Sequence, residues 1–161
     1  MVDYVAQAKP AIIEQDGRLS AKVALAGLLL GVAVWALTLL LERTVLRALF
    51  CGDPSAAACV GITTYAGNIS AVIGAIVGVV ALVRLNVFRP LLIVLGGAIS
   101  LWGMAAWLQN LGMIEQALWS AVLYALLYSL YAWVARIRNA VVVLIVFALV
   151  AAATRIVPLM V

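Results

Sequence analysis

Five apolar runs, each long enough to cross a bilayer, take up most of this 161-residue chain. A hydrocarbon core about 30 Å thick requires about 20 residues of helix, and the runs fall at 21–41, 65–83, 90–108, 116–135 and 140–157. The sequence therefore predicts an all-α integral membrane protein, a compact bundle of five transmembrane helices within 21–161. An N-terminal segment at 1–20 precedes the bundle, and its longest connection is an outer loop at 51–64. Composition points the same way. The chain is 68% hydrophobic and 10% charged, whereas soluble domains carry about 25% charge, so it lacks the polar surface to stand in water. The length accommodates one bundle and no separate folded domain.

Basic residues set the expected orientation. With the N-terminus cytoplasmic, Lys9, Arg18, Lys22, Arg84, Arg89, Arg136 and Arg138 lie inside, and Arg43, Arg47 and Arg155 lie outside. The excess of Lys and Arg on one side follows the positive-inside bias, and five crossings then put the C-terminus outside. The first twenty residues carry Asp3, Glu14 and Asp16 among their charges, and Pro10 interrupts any long helix there. The apolar run behind them has full span length, unlike the h-region of a cleaved signal. The stretch Ala48–Leu49–Phe50–Cys51 has a bulky Phe where a lipoprotein cleavage site needs a small residue, so lipidation is not expected. The expected location is a bacterial inner membrane.

Cys51 and Cys59 flank Gly52–Asp53–Pro54 and the small residues after it, a turn-forming stretch in the outer loop. On an oxidising face the two thiols are expected to form a disulfide. No redox role is expected, because the pair is not a C-x-x-C and has no neighbouring His or Lys to lower a thiol pKa.

Small residues run in stripes along the spans: Gly27 and Gly31 in the first, and Gly67, Ala71, Gly74, Gly78 and Ala81 in the second. Gly96, Ser100 and Gly103 repeat the pattern in the third. Such faces let helix backbones approach closely. Packing within the bundle is the default role, and an exposed stripe such as Gly74 and Gly78 is the place a partner would dock. The fourth span carries Tyr124, Tyr128 and Tyr131 at i, i+4 and i+7, on one face, between terminal Trp119 and Trp133 that suit the interfacial belt. Buried phenols need partners, so these tyrosines with Asn68, Ser70 and Ser100 form the candidate polar interior. Asn68–Ile69–Ser70 also matches a glycosylation sequon, but its place at the start of a span makes Asn68 a helix-helix hydrogen-bonding residue instead.

The charged residues cluster at span ends. On the outer side Glu42, Arg43, Arg47, Asp53, Glu115 and Arg155 form a candidate charge cluster, either a solvated rim or a docking patch. The two arginines after the first span are expected on a helical extension reaching Phe50, with Glu42 or Asp53 as counter-charge. No Asp, Glu or His falls at mid-span, where ion-coupled transporters place them, and the chain contains no His. No metal site, cofactor motif, catalytic triad or phosphate loop is legible.

Packing faces without reactive groups favour a non-enzymatic accessory, interaction or self-associating subunit of a membrane complex. Its expected partners are the lipid bilayer and a membrane protein or further copies of itself, with no nucleic acid. The alternative is a small transporter or channel working as a homo-oligomer, its route passing Tyr124, Tyr128, Asn68 and Ser100.

Overall fold

The computed structural model describes residues 17–51, 59 and 61–160, without the side chains of 157–160. Most of the N-terminal segment and of the 51–64 loop, including Asp53, lies outside the described residues. Those that are described form an all-helical bundle: α1 (Gly17–Leu40), a π-helical turn (Leu41–Leu46), α2 (Arg47–Phe50), α3 (Ile62–Arg84), α4 (Pro90–Ser100), α5 (Met104–Leu108), α6 (Met113–Val134) and α7 (Ala140–Met160).

Three helices among these are long and apolar enough to span a membrane: the continuous Gly17–Phe50 rod, α3 and α6. The apolar helices α4 and Ala140–Ile156 of α7 are shorter. Large apolar side chains on the outside mark the surface as one for lipid. Leu29 (60%), Ile76 (64%), Leu126 (61%) and Leu149 (64%) are more exposed than not, and they come from four different helices. A soluble monomer seldom leaves apolar surface of that extent in water.

The third predicted span, 90–108, is corrected by the structure. Its helix stops at Ser100 after 11 residues, turns through 101–103, and resumes as the five-residue α5. Gly103 explains the break, since its φ of 80° lies in the left-handed region that an α-helix cannot include. Irregular backbone inside a membrane needs its polar groups satisfied by protein, and they are. The Gly103 N–H donates to Asn68 Oδ1 at 3.2 Å, and the Trp102 carbonyl accepts from Arg155 Nη1 at 2.8 Å.

The first predicted span continues in helical form through Arg43 and Arg47 to Phe50, as the helical extension expected there, and it begins earlier, at Gly17. The rod runs 34 residues, or about 50 Å at 1.5 Å per residue, so its ends extend past a hydrocarbon core. At the widened π turn the Arg47 N–H bonds to the Glu42 carbonyl, a step of five.

Helix α6 is central, packing most closely on α1 and also on α4 and α7, while α3 closes against α1 and α4. The core is built from glycine notches and tyrosine rings. A methyl group added at Gly31 would lie 2.5 Å from the Ser120 carbonyl oxygen, and one at Gly27 would lie 2.9 Å from that of Tyr124. One at Gly96 would strike the Tyr131 ring at 2.5 Å, one at Gly97 the Tyr128 ring at 2.9 Å, and one at Gly78 the Tyr128 hydroxyl at 2.5 Å. Gly67 fits Ala105, and Gly74 fits Val34. Gly74, Gly78 and Ala71 are buried. This corrects the expectation of an exposed docking stripe at Gly74 and Gly78: the notch on α3 is filled by α1 and α6.

The helix ends of one pole are tied to each other. Arg136 bonds to Ser20 Oγ, and Arg89 Nη1 donates to the Ile137 carbonyl. Arg18, Lys22, Arg84 and Arg138 belong to the same pole, whereas the described carboxylates, Glu42 and Glu115, belong to the opposite one.

Candidate functional site: a polar cavity at the Glu42 pole

A cavity of about 650 Å³ opens among α1, α3, α5 and α6. It lies where regular α4 has ended and the short α5 takes its place. Val34, the deepest α1 residue in its wall, is about 25 Å from either end of the Gly17–Phe50 rod, so the cavity penetrates to roughly the midpoint. Below that level the described residues pack against one another. Leu30, Leu82, Ile93, Tyr128 and Tyr131 are buried there.

The polar lining begins with the π turn. Along α1 the buried residues run Val23, Gly27, Leu30, Gly31, Val34 and Thr38, and Glu42 continues that stripe into the cavity wall. Arg47 follows five residues later, and its Nη2 meets Glu42 Oε1 at 2.8 Å. The Glu42 side chain is 11% exposed and that of Arg47 62%, so the carboxylate faces inward under a guanidinium lid. Arg43 also lines the cavity, but among the described residues it has neither ion pair nor hydrogen bond. The Trp35 indole N–H, in the same wall, is buried and has no acceptor among the described residues. Deeper in, Ser120 belongs to the wall and donates to the Gly31 carbonyl at 2.9 Å, linking α6 to α1.

The candidate polar interior divides into separate parts. Ser100 Oγ and the Tyr131 hydroxyl are 2.8 Å apart, and Thr154 Oγ1 lies 2.9 Å from Ser100 Oγ. That chain of hydroxyls joins α4, α6 and α7. Asn68 serves the α4–α5 break. Ser70 bonds back to the Ala66 carbonyl within its own helix, at 2.8 Å. Tyr124 lines the cavity and Tyr128 packs in the core, and neither hydroxyl makes a hydrogen bond among the described residues. Of the partners expected for the tyrosine face, Ser100 does meet Tyr131, whereas Asn68 and Ser70 bond elsewhere, so the six residues do not form one continuous interior.

The outer charge cluster divides too. Glu42, Arg43 and Arg47 meet at the cavity. Glu115 instead accepts from the Gly112 N–H at 3.1 Å, at the start of α6, and Arg155 serves the Trp102 carbonyl. Cys51 and Cys59 are joined by a disulfide, with Cα atoms 5.4 Å apart, beyond the end of α2. Sequence reasoning missed Trp35, Thr38, Ser120 and Thr154. Spacing carried a signal only for Thr38, four residues before Glu42 on one helical face. Comparison with protein-family models, curated proteins and solved structures finds no match to the chain.

Proposed function

We propose that this chain is a non-enzymatic accessory or interaction subunit of a membrane complex that binds without conducting. The observation that carries the reading is the blind cavity: open space and polar lining occupy one half of the bundle, while packed tyrosine rings and aliphatic side chains fill the other. A conduit needs a polar route through both halves. Polar groups elsewhere also support an architectural reading, because Ser100, Tyr131, Thr154, Asn68 and Arg155 are engaged with one another or with backbone. Five crossings fit this reading if interrupted α4–α5 counts as one and α7 as the last. The basic pole then faces the cytoplasm, as in a bacterial inner membrane, and the disulfide pole faces outward.

The test is flux. Purified protein in liposomes should pass no solute above the protein-free rate. Solute-specific flux that falls in Thr38→Leu, a change in the cavity wall, would overturn this reading in favour of a transporter.

A further inference from the structure

Glu42 is the one charged residue buried among the described residues, and its carboxylate is only partly satisfied. A carboxylate can take about four hydrogen bonds, yet Arg47 supplies a single one, from Nη2 to Oε1. Oε2 has no partner among the described residues. Nor is it sealed in, since Trp35 Nε1 is the only fully enclosed polar side-chain atom there without a partner. The second oxygen therefore keeps open surface on a side chain that lines the cavity. Glu42 lies as far beyond Gly31 on α1 as Gln109 lies before Ser120, and Gly31 packs on Ser120, so the Glu42–Arg47 pair stands level with the turn that carries Gln109 and Asn110. The side-chain amides of those two residues line the same wall and make no hydrogen bond among the described residues. This level is also the end of the apolar run at 21–41, where a bilayer places its headgroups.

We infer that this wall binds a small zwitterion with a primary ammonium and a phosphate on one short chain, as in an ethanolamine phosphate headgroup, its ammonium on Glu42 and its phosphate on Arg47. A lone anion at Arg47 would meet the Glu42 carboxylate 2.8 Å from the same guanidinium. A lone cation at Glu42 would meet Arg47 and, in the same wall, Arg43. Like charges held that close oppose binding. A ligand with both charges finds the opposite charge at each end, and charge-assisted hydrogen bonds form at both. The cavity, about 650 Å³, falls in the roughly 300–1,000 Å³ range of small-ligand sites. This inference rests on the binding role proposed above and gives that role a ligand class.

The experiment is calorimetric titration of the full chain, purified in a neutral maltoside detergent. The ligands are phosphoethanolamine, its N-acetyl form, ethanolamine and the short-chain lipid dihexanoylphosphatidylethanolamine. Saturable heat is expected from phosphoethanolamine, the short-chain lipid or both, with the N-acetyl form and ethanolamine each about tenfold weaker or more. Tighter binding of the lipid identifies a bilayer headgroup as the source, and tighter binding of the free compound a soluble zwitterion. Glu42→Gln, which keeps the shape of the side chain, and Arg47→Gln should each weaken binding about tenfold. Because Arg47 is exposed, its variant should keep the helical circular dichroism of the parent. Should Glu42→Gln fail to fold, the N-acetyl form still tests the same contact from the ligand's side. Weakening in Arg47→Gln with none in a folded Glu42→Gln would mark a plain anion site and overturn the inference. So would equal affinity for the N-acetyl form or for ethanolamine, or no saturable heat from either zwitterion. Liposome flux is read separately, so binding can fail while the non-conducting role stands, and flux can appear while binding holds.

Discussion

At the scale of single residues, the interior is held by close fit between glycines and tyrosines, with a few hydrogen bonds at fixed places. Gly31→Leu should therefore be severe. Its side chain would begin 2.5 Å from a backbone carbonyl of α6, and backbone cannot step aside as a side-chain tip can. A loss of more than about 3 kcal/mol, beyond ordinary overpacking, is expected by thermal unfolding in detergent. The tyrosines should separate. Tyr131→Phe removes the phenol that meets Ser100 and should cost about 1 kcal/mol, whereas Tyr128→Phe should be nearly neutral, since that hydroxyl has no partner among the described residues. If Tyr128→Phe proves the more damaging, the division of roles on α6 is wrong. The helical spacing of the three tyrosines was legible in the sequence. Which hydroxyl would be bonded was not, because the answer depends on Thr154 and Ser100, which reach the site from helices whose rotation no local pattern fixes.

At the scale of elements, two irregularities shape the cavity: the π turn after α1 and the break between α4 and α5. Apolar runs made the helices legible, but neither irregularity is an apolar-periodicity signal. Gly103 looked like one more small residue in a packing stripe, and only its backbone conformation reveals a helix end. Asn68 is the support for that break. Asn68→Leu should leave the Gly103 N–H without its acceptor and destabilise the bundle by about 1–3 kcal/mol, while Asn68→Asp, which keeps an acceptor oxygen in reach, should lose less; equal loss in both would remove Asn68 from this role. At the other element junction the disulfide should matter modestly. Closing a loop of eight residues is worth about 2–3 kcal/mol in the chain-entropy model, so the paired Cys51→Ser and Cys59→Ser variant should melt earlier than the parent, and in the parent the thiols should become reactive in intact cells only after reduction. The pairing was legible from spacing and turn composition.

At the scale of the molecule, the two poles differ in kind. One gathers Arg18, Lys22, Arg84, Arg89, Arg136 and Arg138, with Arg89 and Arg136 crossing between helix ends. The other holds the cavity, the Glu42–Arg47 pair and the disulfide. The all-helical, lipid-facing character of the chain followed from hydropathy, because apolar runs of that length leave few alternatives. The blind cavity could not be read from the sequence, since it arises where α4 stops and the π turn widens the end of α1. The sequence did place Glu42, Arg43 and Arg47 at one pole, yet grouped them with Glu115 and Arg155, which proved to serve backbone groups, Glu115 at the start of its own helix and Arg155 at Trp102. A charged residue near a helix end has backbone groups within reach as well as other charges, and hydropathy does not distinguish the two.

The central claim is that open space in one half of this bundle ends against a sealed second half, and single cysteines in the Cys51→Ser, Cys59→Ser background test it most directly. Thr38→Cys and Gln116→Cys sit in the cavity wall, and Val23→Cys and Ile93→Cys sit at fully buried positions on the far side of it. With a membrane-impermeant maleimide applied to either face of proteoliposomes, Thr38→Cys and Gln116→Cys should react from the Glu42 pole alone, and Val23→Cys and Ile93→Cys from neither face. Labelling of Thr38→Cys from both faces, or ready labelling of Ile93→Cys, would contradict the account.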